Sequence, residues 1–283
     1  MSDFIWHIAT SIANKLQLIG LLPDNYRKIL RNFGHLIISA PPERVIKTND
    51  GRWYLTPPSL KGSRSYKAGT YEQSLVRYVQ SNIKLNEICI DIGAFIGFYT
   101  VIFSKIIGLN GKVFAVEPEN NAYSYLLKNI RINNLQNVVP INKAADDKIG
   151  FVKFTERANY SNKKKFGGFV SIDEKKQFKL IESITVDSLK LNNVSWVKLD
   201  TDGNETKILN GMKETISKSP NIKLIIEIDP SHFSKNHNII NLVNILKEYG
   251  FDNAIICEDN YKLINTNNIY NINNHRNLIF FKK

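Results

Sequence analysis

The chain has 283 residues, with 43% hydrophobic and 23% charged residues, a composition that excludes a disordered or collagen-like protein. Its two cysteines, Cys89 and Cys257, are far apart and lack metal-ligand spacing; they read as buried thiols in a reducing cytoplasm. The net charge of +12 admits acidic partners, but the lysines are scattered and no nucleic-acid-binding module stands out.

In the first segment Phe4, Ile5, Ile8, Ile12, Leu16 and Ile19 recur at helical spacing. Asp3, His7 and Lys15 make it a poor membrane span, and a basic start and long apolar core are missing for a signal peptide. A packed amphipathic helix is expected, with membrane-surface binding as the competing reading. Pro41-Pro42 stops the helical region. Val45–Leu55, with Asn49-Asp50-Gly51 at its middle, reads as a β-hairpin. Residues 1–68 are therefore expected to form a helical and hairpin extension, and residues 69–283 the main domain. Gly69-Thr70-Tyr71-Glu72 should open a helix reaching about Ile83, with Thr70 as its cap and Glu72 in its first turn.

The main domain begins with Ile88-Cys89-Ile90-Asp91-Ile92-Gly93, an apolar run ending in a Gly turn, as in a buried parallel strand. Gly97 then opens a helix to about Ile107. The pattern is D-x-G-x-x-x-G, with Phe95 where a dinucleotide fingerprint has its second Gly. An acid at this turn suits a cationic amine better than a diphosphate. S-adenosylmethionine carries such an amine and no phosphate. A second strand, Lys112–Glu117, ends in a carboxylate placed to accept from ribose hydroxyls. Helix Asn120–Asn133 buries Ala122, Tyr125, Leu126, Asn129 and Ile130. A third strand, Val138–Lys143, ends at Ala144-Ala145-Asp146-Asp147.

Phe151–Thr155 looks like a strand. Asn159–Gly168 is a basic loop, either plainly solvated or a lid. The fourth strand, Ser195–Leu199, ends at Asp200, before the turn Thr201-Asp202-Gly203. The fifth, Ile222–Ile228, ends at Asp229-Pro230-Ser231-His232. A helix from about Asn238 to Tyr249 follows, then strands Ala254–Cys257 and Leu278–Phe281, read as a hairpin-like pair with an antiparallel edge strand. The expected fold is α/β: a seven-stranded, mostly parallel Rossmann-like sheet with helices on both faces.

From about Gly69 to the C-terminus the chain resembles the FkbM family of methyltransferases. The resemblance lies in Asp91–Thr100, Val116–Asn120, Asn129-Ile130-Arg131-Ile132-Asn133, Ala144–Asp147, Ile184–Leu189 and Val197–Glu205. It implies S-adenosylmethionine as cofactor, held by Glu72, Asp91, Gly93, Ala94, Phe95, Gly97, Glu117, Pro118, Ala145 and Asp146. It also implies a methyl acceptor that is a sugar or glycan hydroxyl, or a hydroxylated natural product. Two residues depart from the family pattern: Phe95 stands where Asn is usual, and Asp202 where Glu is usual.

Ligands of open α/β sheets sit at the carboxyl ends of the strands, so Asp200, Asp202 and His232 are the catalytic candidates. Either Asp200 or His232 acts as general base on a hydroxyl, or Asp200 with Glu227 or Asp229 holds a Mg2+ ion that acidifies it. Two other readings stay open: an RNA methyltransferase, suggested by the charge, and a non-catalytic cofactor-binding scaffold, suggested by Phe95.

Overall fold

The computed structural model describes residues 44–57, 63–156, 168–170, 178–228, 239–258, 260–272 and 274–282. The expected N-terminal helix, the basic loop except Gly168, and Asp229 to His232 lie outside these residues.

The expected hairpin is present: β1 (Arg44–Lys47) pairs antiparallel with β2 (Trp53–Thr56). A short helix, α1 (Ser63–Ala68), follows; it was not expected. Helix α2 (Gln73–Asn82) starts later than the Thr70 cap predicted. The amides of Thr70 and Tyr71 instead bond back to the Ser65 carbonyl. Glu72 is the N-terminal cap residue, in a left-handed conformation and without a side-chain capping bond. Its carboxylate accepts from the Tyr99 hydroxyl.

The main sheet begins with β3 (Ile88–Ile92), α3 (Phe98–Ile107), β4 (Lys112–Val116), α4 (Asn120–Ile132) and β5 (Val138–Ile141). The third strand ends earlier than predicted. Ala144–Ala145 form a separate strand, β6, in a four-stranded sheet with β7 (Gly150–Glu156), β8 (Gly168–Val170) and β9 (Lys179–Ile184). The chain then returns through β10 (Val194–Leu199), α5 (Glu205–Asn210), α6 (Lys213–Ser217), β11 (Lys223–Ile228) and α7 (Ile239–Glu248). It closes with β12 (Asn253–Ile256), β13 (Lys262–Asn265) and β14 (Arg276–Phe281).

The strand order is β13-β12-β14-β11-β10-β3-β4-β5. The five strands from β5 to β11 are parallel, and β14 is antiparallel to both β11 and β12. This is the expected mostly parallel sheet, with β13 as an eighth strand. One expectation is corrected: β14 is not an edge strand but lies inside the sheet. Leu278, Ile279 and Phe280 are all fully buried, so both faces of β14 need cover, which only an interior position provides.

Side chains alternate between the two faces of the sheet. Ile90, Ile92, Val197, Leu199 and Ile226 pack in one core layer with α5 and α7. Cys89, Trp196 and Ile225 pack in the other, with α2 and α3. Two residues further along the same face, β3, β10 and β11 carry Asp91, Lys198 and Glu227. Period two thus puts three ionisable groups on one face at the carboxyl ends of three adjacent strands, with Asp91 level with Lys198 and Glu227 two residues beyond Ile225, the register partner of Lys198.

The hairpin is clamped to α4. Asn129 accepts from the Leu55 amide at 2.5 Å and donates to the carbonyls of Leu55 and Ile96. One turn later Asn133 accepts from the Trp53 amide and donates to the Trp53 carbonyl. Two carboxamides four residues apart share a helix face, and here they pair with β2 as a neighbouring strand would.

Candidate active site

A cavity of about 650 Å3 opens at the carboxyl ends of β3, β4 and β10, within the roughly 300–1,000 Å3 usual for small-molecule sites. One wall is the Gly turn after β3. Gly93 has φ +79, and a Cβ there would lie 1.9 Å from the Asp200 carbonyl oxygen. Only glycine lets the two loops touch. Phe95 also has a positive φ, 52, and its amide donates to Glu117 at 2.8 Å. The other Glu117 oxygen accepts from the Glu119 amide. Burial pushes Glu117 up to about 8, with these backbone bonds pulling the other way.

The floor is a charge cluster. Lys198 Nζ is 2.5 Å from Asp200 Oδ2 and 4.8 Å from the Tyr99 ring centroid. Burial alone would depress the Lys198 ammonium, but the charges of Asp200, Glu72 and Asp91 raise its pKa above the usual lysine value. Burial likewise opposes the Asp200 anion; Lys198 and hydrogen bonds from Glu227 and Lys198 outweigh it, so its pKa falls below the usual range. Glu227 goes the other way: burial, then the Asp200 charge, push it up to about 10. The two carboxyls are coupled: Lys198 favours the Asp200 anion, and that anion favours a proton on Glu227. His275 Nε2 contacts the Glu227 carboxylate from the solvent side. Asp91 is sealed below, accepting from Thr100 at 2.6 Å, and burial raises its pKa.

The second wall is aromatic. Tyr66, Tyr71, Phe98 and Tyr99 line the cavity with ring centroids 4.6–5.2 Å apart, edge to face except for the tilted Tyr66–Phe98 pair. Aromatic faces beside carboxylates attract a cation.

Residues 91–252, more than half of the chain, match the methyltransferase FkbM domain. The chain belongs to the methyltransferase FkbM family. Over 56 residues it is 41% identical to the tRNA(Phe) (4-demethylwyosine(37)-C(7)) aminocarboxypropyltransferase of Methanocaldococcus jannaschii, a match covering 20% of this chain and 22% of that protein. Among solved structures, M. jannaschii TYW2 in complex with AdoMet is 16% identical, with 87% and 90% of the two chains covered and a TM-score of 0.49. Methyltransferase FkbM from Methylobacillus flagellatus is 15% identical, with 79% and 56% covered and a TM-score of 0.46. A SAM-dependent methyltransferase from Aquifex aeolicus is 14% identical, with 78% and 98% covered and a TM-score of 0.43.

S-adenosylmethionine is the methyl donor that an FkbM methyltransferase implies, and the residues present fit it. Glu117 faces the cavity as an acceptor with lone pairs left for a diol. Asp91, Glu72 and the aromatic wall suit a cationic amino-acid end. Asp146, buried beside the wall residue Ala145, keeps Oδ2 without a hydrogen bond, with Lys207 Nζ 3.9 Å away. An amine donor such as that of adenine matches this orphaned acceptor.

Of the predicted cofactor residues, Glu72, Asp91, Gly93, Ala94, Phe95, Glu117, Pro118 and Ala145 line the cavity. Gly97 stands behind it: its φ is +88 and a Cβ would lie 2.7 Å from Leu126 Cδ1, so its requirement comes from packing against α4. Asp200 and Asp202 line the cavity, and Asp202 has a positive φ of 57. Buried Glu205 holds this turn, accepting from the amides of Thr201 and Gly203 and from the Thr201 hydroxyl. His232 lies outside the described residues. Lys198, His275, Tyr66 and Tyr71 were not singled out from sequence. A lysine inside the apolar run Val194–Leu199 was the one signal available.

With Glu227 as the second ligand the Mg2+ reading does not fit, and Asp229, the other expected ligand, lies outside the described residues. The Asp200 carboxylate is already engaged by the Lys198 ammonium, and Glu227 by His275. Among the described residues no group of three or more His, Cys, Asp or Glu is arranged to hold a metal. Among them, too, no helix is long and apolar enough to cross a membrane.

Proposed function

We propose that this FkbM methyltransferase is an O-methyltransferase whose acceptor is a hydroxyl of a sugar, glycan or hydroxylated natural product. The observation that carries this reading is Asp200, a carboxylate kept ionised by Lys198 at the cavity floor, beside the turn read as cofactor-binding. When bound, the cofactor supplies an electrophilic methyl group. Asp200 orients the acceptor hydroxyl and takes its proton. Glu227, protonated, donates to Asp200 and keeps it aimed. The aromatic wall excludes water from the reacting end. Glu72, Asp91, Gly93, Ala94, Phe95, Glu117, Pro118, Ala145 and Asp146 hold the cofactor, and Asp202 contacts the acceptor. The hairpin β1–β2 and helix α1 belong to an extension ahead of the methyltransferase unit, which starts at residue 69. Both cysteines are buried, which suits a reducing, cytoplasmic location.

The test is transfer of labelled methyl from S-adenosylmethionine to a panel of saccharides and hydroxylated small molecules. Methylation by wild type that is lost in Asp200→Asn and indifferent to EDTA is expected. Methylation of amines alone, or an Asp200→Asn variant at full rate, overturns it.

A second reading rests on the 56-residue likeness to a tRNA-modifying enzyme, together with the +12 charge. Under it the acceptor is RNA, and RNA would bind with an affinity falling steeply with salt.

A further inference from the structure

A proton taken up by Asp200 must leave before the next turnover; the Asp200 side chain is 28% exposed towards the cavity, a path that bound cofactor and acceptor fill during turnover, and away from the cavity the cluster offers few exits. Lys198 is a donor with a buried side chain, 4% exposed. Asp91 is sealed by Thr100. Glu72 is engaged by the Tyr99 hydroxyl, and Tyr71 and Tyr66 lie in the aromatic wall. Glu227 alone among these described groups touches both Asp200 and a group open to solvent, His275, whose side chain is 46% exposed.

We propose that Glu227 and His275 form a relay that carries the acceptor's proton from Asp200 to bulk water. The proposal rests on the reading of Asp200 as the proton acceptor. The acceptor O–H bond breaks and its proton goes to Asp200. The Glu227 carboxyl turns the proton that faced Asp200 onto Oε1 and gives it to His275 Nε2, then takes the Asp200 proton in its place. The imidazolium formed releases its Nδ1 proton to water. One proton enters, one leaves, and no group changes oxidation state. The geometry is supported from behind: both Glu258 oxygens accept from the Asn277 amide, and Asn277 is the register partner of Glu227 on the adjacent strand. The charged groups facing the relay are Lys198 and Asp200 from β10, Glu72 before α2, and Arg276 and Glu258 near His275.

Two measurements on the full chain test this. With a hydroxyl acceptor found in the panel, His275→Ala should lower kcat roughly 100-fold, the low end of what positioned proton transfer contributes, with KM and S-adenosylhomocysteine affinity unchanged. Added imidazole should restore much of the rate. Glu227→Gln, which keeps the shape but cannot pass a proton, should be slow and not rescued. A full rate in His275→Ala, or a loss that imidazole does not relieve, overturns the relay. The second measurement needs no acceptor: the ring nitrogen chemical shifts of His275 are recorded at one fixed pH with S-adenosylhomocysteine bound. They should differ from wild type in both Asp200→Asn and Glu227→Gln; shifts indifferent to both overturn the relay. If wild type methylates no hydroxyl compound, the O-methyl reading fails on that result, while the ring shifts still decide whether the three groups are linked.

Discussion

The backbone of Gly93 and the carbonyl oxygen of Asp200 are so close that a Cβ on residue 93 would sit 1.9 Å from that oxygen. The turn that follows the first parallel strand and the loop that carries the proposed base are thus one packed unit. Gly93→Ala should destabilise the protein by roughly 1–3 kcal/mol from overpacking alone, with further strain from the positive φ. Urea melts measure the loss, and calorimetry should show weakened S-adenosylhomocysteine binding. A variant that melts and binds like wild type removes the packing argument.

Lys198 and Asp200 form a buried ion pair, and each depends on the other. Asp200→Asn leaves the ammonium buried without its partner, which should cost about 3 kcal/mol. The double variant Lys198→Met with Asp200→Asn should regain most of that stability and none of the turnover. Denaturant midpoints of the four proteins complete the cycle.

Glu117 predicts the pH dependence of the cofactor-free protein. Its folded pKa is about 8, raised above the ordinary carboxylate value, so the folded state binds more protons than the unfolded chain in between. Stability is fully present below about 4.5 and falls as pH rises towards 8. Glu227 extends the same trend to about 10. Thermal midpoints from pH 5 to 8.5 should fall in wild type and fall less steeply in Glu117→Ala.

The clamp on the hairpin makes a stability prediction of its own. Asn129→Ala removes three hydrogen bonds and strands backbone partners at Leu55 and Ile96, which should cost roughly 3 kcal/mol at about 1 kcal/mol each. Asn129→Asp should not rescue it, because a carboxylate cannot donate to the two carbonyls. Asn133→Ala, at a more exposed place, should cost less. Hydrogen exchange at Trp53 and Leu55 should report the loosening directly.

Much of the sheet was legible because buried parallel strands are short apolar runs between Gly-rich turns. Glu87–Gly93, Lys112–Glu117, Ser195–Leu199 and Ile222–Ile228 all read correctly to within a residue. Reading failed where partners are distant. Nothing local in Arg276–Phe281 says that it slides between β11 and β12, and the two-residue strand Ala144–Ala145 exists only because Ser183 and Ile184 lie beside it. The Thr70 cap failed because the Thr70 and Tyr71 amides bond back to the Ser65 carbonyl, which moves the helix start on to Glu72.

The linear chain by itself determined the alternation of strand and helix, the Gly turn, and the acids at the strand tips, since these depend on neighbours within a few residues. Only the tertiary structure decided that Lys198 would neutralise Asp200, that Glu227 would keep its proton, and that His275 and the aromatic residues ahead of α2 would complete the site. Charge compensation and pKa depend on distances across strands, and those distances exist only once the sheet has formed.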